Sequence, residues 1–247
     1  MIEAPAAPLE GTLRFIRYAF MPNRLQYCGG DDNRTLLQYA TEGVSDGGLT
    51  PMLRRFTGAM PYLELIARSN GLADPFHPRV VEAYWIGNSL LENVQVRQLY
   101  DDMLERFGSR LTGRMREIVL GKAPAGARPH HSFHVLDVHS RVGELAHSLE
   151  TLDGCRVSTG RVTAVDDSAL VVSRRPLQLI DGKLVLGEPR SERVMRQLDG
   201  RGFADAALVG DTVSLHWGWV CEVLTTREAR LLERWTQHHL AIANRTI

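Results

Sequence analysis

The chain has 247 residues, enough for one large or two small domains, and 44% of them are hydrophobic while 23% are charged. Its formal net charge is zero, which argues against a broad electrostatic surface for nucleic acid or anionic lipid. No apolar run reaches membrane-spanning length, and the first residues show neither the basic nor the apolar segment of a signal peptide. Three cysteines, an odd number, argue against a disulfide framework, so we expect a cytoplasmic protein.

The first part of the chain, residues 1–150, is predicted to be a mainly helical domain. Apolar residues recur there at helical spacing, and Pro61 is expected to split or kink the helix in which it lies. Pro78 suits the first turn of the next helix, where its missing N–H costs nothing. Further along the chain, residues 133–138 suit a short strand, and the apolar spacing over residues 142–149 suits another helix.

The second part, residues 151–247, is predicted to be a small β-barrel with a C-terminal helix. Several short β-rich segments with turn signals between them follow one another, and the last predicted strand covers residues 213–220. Thr225 and Glu228 have the spacing of a capping box, which predicts that the final helix begins there. The expected fold class is therefore α+β, with the helical domain preceding the barrel.

Two short motifs flank this β region. Cys155 stands at its start and is followed by Gly160, while the pair Gly210-Asp211 precedes a strand that contains His216. Each motif alone is a weak signal, because a Gly-Asp pair before a strand is a common turn. A histidine in an apolar strand is likewise more often a satisfied core residue than a ligand. The order of the motifs along the chain is what makes them informative.

In this order the motifs resemble the HypC/HupF family of NiFe-hydrogenase maturation chaperones, over about residues 155–235. The resemblance implies an OB-like barrel, and it places the family's iron-binding cysteine on Cys155 and its partner histidine on His216. In that family the pair helps to hold an Fe(CN)2CO unit, which passes from a HypD-like maturation protein to the hydrogenase large subunit. The resemblance therefore implies a chaperone with these partners and not a classical enzyme. The helical part resembles an uncharacterised bacterial domain family, which implies no mechanism.

The sequence departs from the HypC/HupF pattern at three points. Members of the family expose the cysteine at a processed N-terminus, whereas Cys155 is internal, and Thr159 stands where a proline is expected. The stretch between the cysteine and the histidine is also longer than usual, which predicts an enlarged hairpin around the turn Asp181-Gly182. A soft thiolate and an imidazole nevertheless suit iron that carries strong-field diatomic ligands.

Two further stretches contain candidate metal ligands. Residues 130–139 are rich in histidine, and His130, His131 and His134 are possible ligands whether the segment is extended or helical. Cys28 lies in a glycine-rich turn before a helix, where a thiol pKa is lowered, although a tight turn with a buried small thiol explains the same pattern. His239, near the C-terminus, is predicted to lie on a solvated helix face.

These stretches leave two alternatives to the chaperone. The first is a metal-dependent enzyme that uses the cluster His130–His139, although no motif such as His-Glu-x-x-His, a nucleophile elbow or a P-loop indicates a reaction class. The second is an assembly scaffold that binds no metal.

Overall fold

The structure, a computed structural model, describes residues 9–139, 141 and 148–247. The helices are α1 (Gly11–Arg24), α2 (Asn33–Glu42), α3 (Leu49–Leu53), α4 (Met60–Ser69), α5 (Pro78–Trp85), α6 (Val96–Phe107), α7 (Gly113–Leu120), α8 (His131–Phe133), α9 (Leu149–Cys155) and α10 (Thr226–Ala243), with a 3-10 turn at Ser89–Leu91 and a π-helical stretch at His134–His139. Among the described helices, none is both long enough and apolar enough to cross a lipid bilayer.

The strands form one closed barrel and two small hairpins. They are β1 (Ser158–Val165), β2 (Ala169–Arg174), β3 (Leu177–Ile180), β4 (Lys183–Leu186), β5 (Arg190–Met195), β6 (Gln197–Leu198), β7 (Arg201–Gly202), β8 (Thr212–His216) and β9 (Trp219–Leu224). The barrel order is β1-β2-β5-β9-β8, in which only the β5–β9 pair is parallel. This is the five-stranded Greek-key order of an OB-like barrel. The predicted α+β class, with helices first, then a barrel and a final helix, is confirmed.

Three sequence features at the starts of helices have the effect that was predicted. Pro61 lies at the first turn of α4, and the predicted long helix is split into α3 and α4. Pro78 begins α5. The capping box is present, since the Thr225 hydroxyl accepts from the Glu228 N–H while the Glu228 carboxylate accepts from the Thr225 N–H.

Two local predictions are wrong. Residues 133–138 are helical instead of extended, because the histidine-rich segment begins a helix after His130, whose side chain accepts a hydrogen bond from the Ser132 N–H. The predicted strand 213–220 is a hairpin, because Trp217 and Gly218 both adopt positive φ (55° and 69°) and form the turn between β8 and β9. The helix predicted over 142–149 falls mostly outside the described residues, and Leu149 begins α9.

The apolar core continues across residue 150. A single cluster includes Phe20 of α1, Trp219 of β9 and Trp235 of α10, and the Phe20 ring packs edge-on against the Trp219 ring with centroids 5.2 Å apart. A smaller cluster fills the barrel interior. The division of the chain into domains 1–150 and 151–247 stays a prediction. What the structure shows at residue 150 is a change from helices to strands over a shared core.

A polar contact fixes α1 against the barrel. The Arg14 guanidinium donates to the carboxylates of Glu222 on β9 and Glu228 on α10, at 2.7 Å in each case. The Tyr18 hydroxyl, also on α1, donates a short hydrogen bond to Glu222. Because these groups are buried or nearly so, each needs its partner, and together they define where α1 lies on the β8–β9 hairpin.

The contact between the helical part and the final helix can be tested at Gly87. This residue has φ +98°, and a Cβ atom added to it would lie 2.0 Å from Cδ1 of Trp235. We expect Gly87→Ala to lower the free energy of unfolding by about 2–4 kcal/mol, because backbone strain adds to displacement of the indole.

Gly43→Ala is the matched control in a urea unfolding experiment. Gly43 also has positive φ (66°), but no atom lies within 4 Å of an added Cβ, so only the left-handed strain of about 1 kcal/mol remains. Equal losses for the two variants would contradict the packing described at Trp235.

Candidate metal centre

Three side chains that are distant in sequence converge between the helical part and the barrel. They are Cys155 at the end of α9, His216 at the end of β8 and His131 at the start of α8. One ligand atom from each, the Cys155 Sγ and a ring nitrogen from each histidine, lie within 4.8 Å of one another. Both histidines are buried, whereas Cys155 is half-buried. The structure thus brings together the two residues on which the sequence hypothesis rests, and adds His131 to them.

Cys155 is placed by the turn of the β8–β9 hairpin. The Trp217 N–H donates to the carbonyl of Gly154 at 2.8 Å, which ties the end of α9 to the residue after His216. Gly154 is needed for this approach, because a Cβ atom there would lie 2.9 Å from the Trp217 ring. Cys155 was expected to begin the β region, but it is the last residue of a helix, and β1 begins three residues later.

His216 presents one nitrogen that has no hydrogen-bond partner among the described residues. Its Nδ1 lies 2.7 Å from the backbone carbonyl of Tyr18, and since a carbonyl only accepts, Nδ1 carries the proton. The neutral ring then has its lone pair on Nε2, which is buried and makes no hydrogen bond. Burial lowers the pKa of His216 to about 4, although the nearby carbonyls of Tyr18 and Cys155 act in the opposite direction. The ring is therefore neutral and oriented as a metal ligand requires.

The carbonyl of Tyr18 is free for this contact because of a proline. Pro22 lies inside α1, four residues after Tyr18. In a regular helix the carbonyl of Tyr18 would accept from the N–H of residue 22, but proline has none. The lost helical bond leaves an acceptor that His216 satisfies. Pro22 therefore acts on the site without contacting it.

His131 has both ring nitrogens in hydrogen bonds. Its Nε2 lies 2.9 Å from the Cys155 carbonyl and so donates, which leaves Nδ1 to accept from the Tyr84 hydroxyl at 3.2 Å. The ring also lies against those of Trp85 and His216, with centroids 4.5 and 5.0 Å apart. Burial, together with the neighbouring rings of His216 and His134, holds the pKa of His131 well below its ordinary value.

The thiol of Cys155 is not activated as a nucleophile. Burial raises its pKa to about 12, the neighbouring Cys28 thiol acts in the same direction, and a hydrogen bond with Trp217 opposes them weakly. Among the described residues, no cationic group contributes to this pKa. At neutral pH the group is a thiol, and a metal ion must displace its proton to bind.

The other predicted ligands lie outside this group of three. His130 makes its hydrogen bonds elsewhere. Its Nδ1 accepts from the hydroxyl of Ser132, and this hydroxyl in turn accepts from the Nδ1 of His239. His134 lies near the Tyr62 hydroxyl, at 3.4 Å. His239 was expected on a solvated face, but it is fully buried, because α10 packs against α8.

Cys28 also lies outside the group. The residue as a whole is exposed, but burial of its thiol raises the thiol pKa to about 12, which fits the tight turn with a buried thiol and not the lowered pKa of a helix N-terminus. Its neighbour Tyr27 packs on the Trp217 ring with centroids 4.2 Å apart, which places the turn beside the Cys155 site.

Sequence reasoning did not find the residues that orient the ligands. From the sequence alone, Tyr84 and Trp85 are an aromatic pair typical of core packing, and neither Tyr18 nor Pro22 stands out. The proline inside an apolar helical pattern was the available signal, since such a residue always frees a carbonyl one turn earlier.

Comparison with known proteins gives a family but no activity. A model of a family of unknown function, DUF6390, matches residues 7–247. The chain belongs to this family. The match includes both the helical part and the barrel, so the resemblance that the helical part shows to an uncharacterised family extends over nearly the whole chain. No curated protein and no solved structure matches.

The buried histidines should make the folded protein less stable in acid. His130, His131, His216 and His239 are each at most 5% exposed, and burial lowers the pKa of all four. Because the folded pKa lies below the unfolded value of about 6.5, the unfolded chain binds more protons as pH falls through 6.5. Stability is complete above that pH and declines below it, until the pH reaches the folded values, about 4 for His216 and about 3 for His130.

Each such histidine loses about 1.4 kcal/mol in total between pH 7.5 and 5.5, because its unfolded pKa lies at the middle of that interval, so we expect the four together to lower the free energy of unfolding by about 5 kcal/mol. Urea unfolding at several pH values measures it. A free energy of unfolding that stays constant over this interval would show that these rings are already charged or are exposed.

Pro22→Ala tests how His216 is oriented. The new N–H competes for the Tyr18 carbonyl, whose bond to His216 contributes about 1 kcal/mol, so the preference for the Nδ1-protonated ring should fall about fivefold. Helix α1 itself should become more stable, since proline in a helix interior costs about 3 kcal/mol.

Nitrogen-15 NMR of the histidine rings at pH 7.5 distinguishes the two effects. Leu25→Ala, an exposed change at the end of the same helix, should leave the His216 ring shifts as they are in the wild type. An unchanged His216 tautomer in Pro22→Ala would mean that the freed carbonyl does not determine it.

Proposed function

We propose that this protein is a NiFe-hydrogenase maturation chaperone that carries or shields an Fe(CN)2CO unit through Cys155 and His216. The supporting observation is their convergence: the Cys155 thiol lies within 4.8 Å of a ring nitrogen of His216, whose Nε2 has no hydrogen-bond partner among the described residues. A buried nitrogen without a hydrogen-bond partner costs free energy, and a metal ligand role accounts for it. The iron unit is the cargo of the protein and not its resident cofactor.

The barrel supports the resemblance to the HypC/HupF family beyond the two ligands. Gly210 has φ +97° and Asp211 accepts from the Leu208 N–H, so this motif forms the turn that begins β8 and leads to His216. The extra length between Cys155 and His216 is accounted for by the hairpin β3–β4, which lies outside the barrel sheet.

The chemistry of the donors fits a carrier. A thiolate and a neutral imidazole suit iron with strong-field ligands, and binding must release the thiol proton. His216 is 1% exposed whereas Cys155 is half-buried, so the cargo would be held from inside and reached from the cysteine side. The departure from the HypC/HupF pattern remains: Cys155 is an internal residue, the last of α9, so it has no free α-amino group of its own.

We propose that a partner docks in an open groove lined by sequence neighbours of Cys155 and His216. Gly154 and Trp217, which flank Cys155 and His216 in sequence, line a groove with a volume of about 680 Å³. Its floor includes Arg156 and Arg174, both ion-paired to Asp153. We propose the hydrogenase large subunit and a HypD-like maturation protein as the partners, in the reducing cytoplasm, where three free cysteines persist.

The enzyme alternative has less support. Of the histidines in the cluster His130–His139, only His131 joins the group with Cys155, and no described carboxylate belongs to that group. The metal-free scaffold is an outcome of the following experiment.

The test is to purify the full chain from a host that expresses the maturation partners and to record its infrared spectrum. We expect bands of iron-bound carbon monoxide and cyanide in the wild type, and their loss together with the iron in Cys155→Ala and in His216→Ala. Cys28→Ala, which removes the neighbouring thiol that lies outside the group of three, is the matched control and should keep the bands. Bands that survive in Cys155→Ala, or that are absent from the wild type, would overturn the proposal and leave the scaffold.

A further inference from the structure

We infer that His131 is a third ligand, so that this chain alone supplies a complete sulfur–nitrogen–nitrogen face to the iron unit. The inference rests on the proposed function and extends it. Two protein donors and three diatomic ligands leave one position of an octahedral iron open, which a partner protein or water must fill. Three donors from this chain close that position. The protein would then hold its cargo without a ligand from a HypD-like protein.

The geometry carries the inference. One ring nitrogen of His131 lies within 4.8 Å of both the Cys155 Sγ and a ring nitrogen of His216. Metal–nitrogen and metal–sulfur bonds of about 2.0–2.3 Å put neighbouring ligand atoms roughly 3 Å apart, so the side chains need to move by about 1–2 Å. The His131 and His216 rings already meet edge to face, with centroids 5.0 Å apart.

The hydrogen bonds of His131 determine how much free energy would be lost when the ring turns to coordinate a metal. The contact with the Cys155 carbonyl, at 2.9 Å, holds the ring beside the thiol. The contact with the Tyr84 hydroxyl, at 3.2 Å, is longer, and it engages the nitrogen that bears the lone pair. Coordination through this nitrogen would exchange the weaker bond for a metal bond. When the cargo leaves, the Tyr84 hydroxyl can donate its hydrogen bond to Nδ1 again. The empty site therefore has no unsatisfied nitrogen at His131.

The surroundings favour a closed coordination shell. His131 is 5% exposed and lies against Trp85, whose ring centroid is 4.5 Å from its own. Water therefore has little access to the position that His131 would occupy.

The experiment uses the full chain loaded in the presence of the maturation partners and then separated from them by gel filtration with a chelator present. We expect the wild type to retain iron and its infrared bands. His131→Ala should load but lose the unit at least tenfold faster, with a carbon monoxide stretch at higher frequency because a donor is missing. His134→Ala, which changes the next histidine along the same segment and lies outside the group, should behave as the wild type.

A second measurement needs no variant. Low-spin ferrous iron is diamagnetic, so nitrogen-15 NMR of the loaded wild type should show two histidine rings with metal-shifted resonances. One shifted ring, or unchanged retention in His131→Ala while Cys155→Ala and His216→Ala are empty, would overturn the third ligand and leave the proposed function in place. Bands that persist in Cys155→Ala and His216→Ala would instead overturn the proposed function.

Discussion

The hydrogen bond from the His216 ring to the Tyr18 carbonyl is the contact on which the site depends. It joins the barrel to α1, fixes the proton on Nδ1 and leaves Nε2 for a ligand. The helical part is therefore half of the candidate site, since it supplies Tyr18 from α1 and His131 from α8. The family model matches residues 7–247 and so includes both parts of the chain that contribute to this site.

The position of α1 that this contact requires is fixed by buried charged side chains. Tyr18 reaches the barrel through Glu222, and Arg14 pairs with Glu222 and Glu228. Buried ion pairs of this kind add little net stability, because desolvation offsets their attraction, but removing one partner is strongly destabilising. The network therefore gives one position of α1 on the barrel a much lower free energy than the alternative positions, in which a buried charge would lose its partner. This position of α1 matters for the candidate site, because a shift of α1 would move the Tyr18 carbonyl away from His216.

Sequence and structure agree where the signal was local. The barrel was predictable because short β-rich segments and turns mark its strands, and Cys155 and His216 were found through motifs beside those turns. The hairpin at Trp217 was missed because a tryptophan with positive φ has no sequence signature. His131 was a candidate ligand, but its meeting with Cys155 depends on packing between α8 and α9, distant in sequence, which no spacing encodes. The same holds for the carbonyl that Pro22 frees, since its acceptor role appears only once β8 lies against α1.

The pKa shifts at the candidate site are opposite to those of a cysteine–histidine nucleophile. A cysteine–histidine nucleophile works because an imidazolium stabilises a thiolate, which lowers the thiol pKa and raises that of the histidine. Here both shifts have the opposite sign: burial raises the pKa of Cys155 to about 12 and lowers that of His216 to about 4. Between these values the pair stays as neutral thiol and neutral imidazole, so proton transfer between them is unfavourable. A metal ion can replace the thiol proton and use the free imidazole nitrogen, which is what the proposed carrier role requires.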